Sequence, residues 1–130
     1  MASIFSKIIT GEIPAYKIAE NERCLAFLDI RPLQKGHTLV IPKQEVDYIF
    51  DVDDDLLVEL ILFSKQVAKA IEKVVPCDRI GMSVIGLEVP HAHIHLVPIT
   101  NIGDMNFARP LPPQSPEDFR ALADSIKKII

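Results

Sequence analysis

Two cysteines, Cys24 and Cys77, are all that this 130-residue chain offers for covalent cross-linking, which excludes a disulfide scaffold. Cys24 lies in the apolar stretch Cys24-Leu25-Ala26-Phe27-Leu28 and reads as a buried thiol, whereas Cys77 follows Pro76 in a loop. An excess of positive charge is also missing. Lys and Arg number 14 against 18 Asp and Glu, a net charge of −4, so the chain lacks the basic balance of a dedicated nucleic-acid binder. No apolar run approaches the ~18 residues that a membrane span requires. Nor does the start, Met1 to Gly11, read as a secretory signal, because Lys7 interrupts its only apolar stretch and no small-residue cleavage site follows. The expected location is therefore the cytoplasm. Internal repeats and low-complexity tracts are absent as well.

What is present is ordinary in bulk. Hydrophobic residues make up 48% and charged residues 25%, the balance of a soluble globular protein and not of a disordered or fibrous one. The length suits one domain and is too short for two ordinary ones.

Two helices are legible. The first starts in Asp53-Asp54-Asp55, where carboxylates suit the positive end of a helix dipole, and runs to Pro76. Leu57, Leu60, Ile61, Ser64, Val67, Ala68, Ile71 and Val74 carry its apolar spacing. The second opens with Ser115-Pro116-Glu117-Asp118, a capping hydroxyl followed by proline and acids in the first turn. Phe119, Leu122, Ala123, Ile126 and Ile129 form a stripe that needs a partner surface, in its own core or on another subunit.

Strands are expected at Tyr16–Ala19, Cys24–Leu28, Thr38–Ile41, Ile80–Val84 and Val89–Val97, the first two forming a hairpin across Glu20-Asn21-Glu22-Arg23. Neighbouring strands, then a helix, then more strands predict an antiparallel α+β fold instead of alternating βαβ units. Asn101 to Gln114 carries Pro110, Pro112 and Pro113 and reads as an extended connector to the last helix.

The chemistry concentrates in His91-Ala92-His93-Ile94-His95-Leu96-Val97. On a strand, alternate side chains share a face, which puts three imidazoles on one side and Ala92, Ile94 and Leu96 on the other. Packing alone does not account for three buried rings, each with two nitrogens that need partners. Two chemistries compete. Imidazole is a common metal ligand, but positions i, i+2 and i+4 spread over roughly 13 Å, too far for all three to reach one ion easily. The alternative is covalent catalysis, in which one ring attacks an electrophile and its neighbours orient it, bind an anion or move protons.

The motif resembles the His-φ-His-φ-His-φ-φ signature of the histidine-triad (HIT) family, φ being apolar. Ser3 to Ile9, Gly11 to Ala15, Cys24 to Pro32 and Lys35 to Pro42 resemble further blocks of its nucleoside phosphoramidase-like branch, in the same order. The resemblance covers residues 3 to about 99 and leaves the last thirty outside it. It implies a HIT-like fold, with a five-stranded antiparallel sheet, one long helix, a short N-terminal helix and an added C-terminal helix. A HIT domain over 1–100 and an extension over 101–130, with its helix near 116–129, follow from it. It also implies a homodimer with a continuous sheet, a purine nucleotide substrate such as an AMP conjugate, and cleavage at the α-phosphorus through a nucleotidyl-histidine. No cofactor or metal is implied, and no nucleic-acid or membrane partner.

Carried over residue by residue, His93 is the nucleophile and His95 binds a phosphate oxygen or assists the leaving group. His91 and His37 hold the network and its tautomers. Asp29 takes the ribose hydroxyls, Phe5, Ile8, Phe27 and Ile30 line the base slot, and Glu88 and Val89 border the nucleotide. Read without the resemblance, Asp29-Ile30-Arg31-Pro32 is a turn after a strand, and Phe5, Ile8 and Phe27 are core.

The chain departs from the family where Gly86 is followed by Leu87 and Glu88 in place of the usual Gln and Ser or Thr. A carboxylate beside a phosphate is repulsive, so Glu88 must turn away, carry a proton or change the substrate. Ser3 and Ser6 stand where some relatives place a zinc-binding Cys pair, and serine is a poor zinc ligand. Two alternatives to a HIT-type hydrolase follow: a module that binds nucleotide without turnover, and a metal-dependent hydrolase.

Overall fold

The computed structural model describes residues 2–130. Its elements in chain order are α1 (Ile4–Ile9), β1 (Lys17–Glu20), β2 (Cys24–Leu28), β3 (Thr38–Pro42), α2 (Asp54–Val74), β4 (Arg79–Ser83), β5 (Ile94–Ile99) and α3 (Pro116–Ile129). Short 3-10 turns at Ile49–Asp51 and Ile102–Met105 join them. The strands form one sheet in the order β1-β2-β3-β5-β4, with every neighbouring pair antiparallel. That is the expected α+β, five-stranded architecture.

The hairpin lies one residue later than expected at its first strand. Asn21 explains its turn: its side-chain oxygen accepts the amides of Arg23 and Cys24 at 3.0 and 2.7 Å, an Asx turn that fixes the reversal.

The two sheet faces have different coverings. On one, Ala26, Leu28, Val40, Ile94 and Leu96 pack under α2 and α3 in the main core. On the other, Leu25, Phe27, Leu39 and Ile41 pack with Phe5 and Ile8 of α1. Period-two alternation in β2, β3 and β5 thus sends one set of aliphatics to the long helices and the other toward the histidines.

Three expectations need correction. The last strand begins at Ile94, not Val89. Pro90 has no amide hydrogen, and the His91 amide bonds Val89 O at 2.8 Å in a tight turn, so His91 to His93 lie in a bend ahead of the ladder. The alternation of faces persists through the bend, because Ala92 still packs with Val52 and Leu56 beneath the sheet. In α2 the buried stripe is Leu56, Leu60, Phe63, Ser64, Val67, Ala70 and Ile71, with Ile61 facing outward at 42% exposure. The helix is apolar on more than one side, and the sheet selects a different phase from the one the spacing suggested. In α3, Phe119, Leu122, Ala123 and Ile126 are buried while Ile129 is exposed. The partner of that stripe is the chain's own core, since α3 packs on β1, β2 and α2.

Candidate active site

Four imidazoles gather on the α1 side of the sheet, and all are buried: His91, His37, His93 and His95 are 0, 1, 5 and 8% exposed. β5 supplies His95, whose register partners are Leu39 on β3 and Ser83 on β4. His37 immediately precedes β3, following Gly36 at φ +93°, a backbone region natural to glycine. A side chain at position 36 would also meet Val75 at 2.9 Å, so the turn that delivers His37 has no room for one. The ring of His95 stands 4.9 Å from that of His93 and 5.2 Å from that of His37, centroid to centroid.

Backbone partners dictate where each ring carries its proton. The Leu33 amide donates to His37 Nδ1 at 2.9 Å, so the His37 hydrogen resides on Nε2. His37 Nε2 then donates to His95 Nδ1 at 2.9 Å, which puts the His95 hydrogen on its own Nε2. His93 Nδ1 lies 2.7 Å from His91 O, an acceptor only, so Nδ1–H donates and the Nε2 lone pair of the neutral ring is free. His91 Nε2 donates to Pro42 O at 2.8 Å, and its Nδ1 accepts the Ser3 hydroxyl at 2.8 Å. Among the described residues no buried side-chain polar atom is left without a partner.

Burial, reinforced by the nearby His93, lowers His37 to a pKa of about 4. Burial also takes His95 to about 4, helped by His37 and His93 and opposed by Asp29. His91 is lowered too, chiefly by desolvation, although Pro42 O and Glu45 favour its charged form. His37 and His95 are therefore neutral at pH 7, which the donor-acceptor chain between them requires.

Ser3 and Ser6, at the positions where some relatives place a zinc-binding Cys pair, are hydrogen-bonding groups in this structure. Ser3 caps α1 by accepting the Ser6 amide at 3.0 Å while donating to His91. Glu45 Oε1 accepts both the Ser3 amide and the Ser6 hydroxyl at 2.6 Å. Those bonds hold its carboxyl well below the usual range, at about 2. Glu45, the Leu33 amide and Phe107, whose ring meets that of His95 edge-on at 4.8 Å, were not among the expected site residues. Nothing in the sequence pairs Ser6 with a carboxylate 39 residues further on.

Of the expected nucleotide contacts, Phe5 meets His93 edge-on at 5.0 Å and Phe27 at 5.5 Å. Ile8 belongs to the same apolar cluster, and Val89 packs against it. Asp29 Oδ2 is 3.6 Å from His37 Nε2, and Oδ1 accepts the Arg31 amide at 2.8 Å, so Asp29 closes the expected turn and lies beside His37. Ile30 is 65% exposed, and Glu88 is also exposed, its carboxylate left in water.

Asp29, His37 and His95 bring ligand-type atoms within 4.8 Å of one another. The donor chain argues against a cation there. The Leu33 amide occupies His37 Nδ1, so the ring's hydrogen sits on Nε2, the atom that would have to ligate.

The motif, the sheet and the four-imidazole cluster define a histidine-triad protein. The HIT domain family model matches residues 10–102, and the chain belongs to that family. Among its relatives, adenosine 5′-monophosphoramidase hnt1 of Schizosaccharomyces pombe is 37% identical over 133 residues, 100% of this chain and 99% of that protein. An uncharacterized HIT-like protein of Methanocaldococcus jannaschii is 43% identical over 102 residues, 73% of this chain and 77% of the other. The crystal structure of a HIT-like protein from Bartonella henselae superposes with a TM-score of 0.86 at 29% identity, covering 98% of this chain and 96% of that one. The hnt1 alignment includes the last thirty residues, which the sequence resemblance had left out.

Proposed function

We propose that this protein hydrolyses purine nucleoside phosphoramidates or related nucleotide conjugates at the α-phosphorus, through a nucleotidyl group carried on His93. One observation carries the reading: His93 Nδ1–H is tied to His91 O, leaving Nε2 as a nucleophile beside a neutral His95 whose Nε2–H is free to donate. In the first step Nε2 of His93 forms a bond to phosphorus as the P–N bond breaks, and the departing nitrogen takes a proton from water. The His95 Nε2–H bonds a phosphoryl oxygen as charge gathers on it. Water then attacks phosphorus, the N–P bond to His93 breaks, and nucleoside monophosphate leaves. The sum is conjugate plus water giving monophosphate plus amine. Phe5, Phe27 and Ile8 offer the base an apolar wall next to the nucleophile, and Asp29 has lone pairs for the ribose hydroxyls. The named activity of the fission-yeast relative supports the same substrate class.

The reading extends to assembly and place. β4 is an edge strand, and Met82, Val84 and Ile85 on and beyond it are 51, 39 and 45% exposed, which supports a homodimer that continues the sheet across this edge. Both cysteines are free, the state thiols keep in a reducing cytoplasm. No described helix is long and apolar enough to cross a membrane.

The test is release of AMP from adenosine 5′-phosphoramidate by the protein and by His93→Asn, with acid-sensitive adenylate on the protein followed by mass spectrometry. Loss of at least about 10³-fold in kcat and of the adduct is expected. Turnover by His93→Asn at the parental rate refutes the assignment. Exposed Glu88 in place of the family's hydroxyl favours the second reading, a binder without turnover, which the same assay exposes as AMP binding with no product.

A further inference from the structure

Glu45 stands on an exposed loop just past β3, yet its carboxylate is tied down. Oε1 accepts the Ser3 amide and the Ser6 hydroxyl, both at 2.6 Å, across 42 and 39 residues of chain. α1 has six residues, too few to hold a helix by themselves, so its place depends on docking. In a capping box the third helical residue offers a carboxylate to the N-cap amide. Here that residue is Ser6, and Glu45 fills the role from a distant part of the chain.

The same carboxylate directs the hydroxyl hydrogens. Ser3 Oγ and Ser6 Oγ lie 2.8 and 3.4 Å from His91 Nδ1, and each hydroxyl has one hydrogen to give. Glu45 takes that of Ser6, which leaves Ser3 as the donor to His91. The other ring nitrogen of His91 donates to Pro42 O at 2.8 Å. Both nitrogens are thus referred to one short stretch, Pro42 to Glu45, the first directly and the second through Ser3. His91 O in turn accepts His93 Nδ1–H at 2.7 Å, and Phe5 of the docked helix meets the His93 ring at 5.0 Å. We propose that Glu45 is a positioning residue for the reaction: by docking α1 and assigning the Ser3 hydrogen to His91, it fixes the direction of the His93 Nε2 lone pair. The inference rests on the reading of His93 as nucleophile. Both bonds to α1 end on Oε1, so an uncharged oxygen acceptor there serves the same purpose.

The experiment measures kcat and KM for adenosine 5′-phosphoramidate with the parent, Glu45→Ala and Glu45→Gln, well below their unfolding temperatures. NMR follows the ring nitrogens of His91 and His93 in the same proteins. Glu45→Ala is expected to lose about tenfold in kcat, as a misplaced group does, and to raise KM about threefold as Phe5 and Ile8 loosen. Both ring signals are expected to move. Loss of folded protein alone would lower the apparent kcat and leave KM and the spectra as they are. Glu45→Gln, whose amide oxygen accepts both bonds, is expected to recover most of the loss. Parental kcat in Glu45→Ala overturns the proposal, and so does an equal loss in Glu45→Gln. If Glu45→Ala does not fold, Ser6→Ala decides, since it removes one of the two bonds and spares Ser3. A fall of about threefold with a displaced His91 signal then sustains the proposal, and parental values overturn it. If the parent shows no turnover, the catalytic reading fails and the spectra decide alone. Ring signals that move in Glu45→Ala and return in Glu45→Gln sustain the positioning role, and unmoved signals overturn it.

Discussion

Lowering the pH from 7 to 5 is expected to destabilise the fold through His37 and His95, well before any carboxylate is involved. Each ring is held to a pKa of about 4, against about 6.5 for a free imidazole. A base depressed in the folded state binds fewer protons there than in the unfolded chain. Its contribution is complete above 6.5 and is lost as pH falls from 6.5 toward 4. For one such ring the linkage integral amounts to about 2 kcal/mol at pH 5. The two rings together exceed the effect of a typical single substitution. Carboxylates act lower and in their own window. Glu45, at about 2 against 4.5, contributes stability that is present above 4.5 and lost as pH falls from 4.5 toward 2. Urea unfolding between pH 7 and 5 isolates the histidines. His37→Gln, which keeps an amide donor for His95 but removes one titrating ring, is expected to reduce the pH slope by less than half, since His95 and the likewise lowered His91 remain. A flat stability between pH 7 and 5 would falsify the claim that these rings are buried neutral.

The other predictions concern how the site is held. Ser3→Ala removes both the cap of α1 and the donor to His91 Nδ1. It is expected to lower stability by about 1 kcal/mol and to shift the His91 ring nitrogens in NMR spectra. An unmoved His91 signal would show that the serine does not set that ring. Gly36→Ala combines a left-handed backbone with a clash against Val75, and a loss of about 3 kcal/mol is expected in denaturant titration. A loss below about 1 kcal/mol would mean the turn relaxes without cost to the position of His37.

Local chemistry made some of this architecture readable and concealed the rest. β2 and β3 stand out because short apolar runs are bounded by turn residues, and α3 because Ser115 and Pro116 announce its start. β5 was overextended because alternation between histidine and aliphatic residues continues through a bend that makes no ladder. Only the missing amide of Pro90 hints at the break. The buried phase of α2 was not decidable from spacing, since Val58, Ile61 and Leu62 supply a competing apolar stripe that ends up exposed. At the site, the histidines and Phe5 were visible as residue types. The groups that orient them were not, because the Leu33 amide, the Pro42 carbonyl and the His91 carbonyl belong to every sequence alike. Phe107 was hidden in a connector whose prolines advertise extension and say nothing of what the chain lies upon.

The electrostatics of the site turn on a further consequence of those backbone groups. On the proposed function, a phosphate beside the neutral rings of His37 and His95 would gain nothing from their net charge, and the chain as a whole carries −4. Attraction must come from N–H dipoles, and a neutral imidazole helps only when its hydrogen faces the anion. Presented the other way round, its lone pair repels. The Leu33 amide cannot reverse, so the sequence Leu33 N–H to His37 to His95 fixes the useful orientation from a group that has no alternative. His37 is in this view a positioning residue that never touches substrate. His37→Ala leaves His95 free to take either tautomer, and kcat is expected to fall about 10-fold, less than the roughly 10²–10³-fold of an oxyanion donor lost outright, because His95 still samples the useful tautomer. His37→Gln, able to donate its amide hydrogen to His95 Nδ1, is expected to recover part of that loss with KM little changed in both. Equal activity of the two variants would mean that volume alone, and not a directed hydrogen, is what position 37 provides.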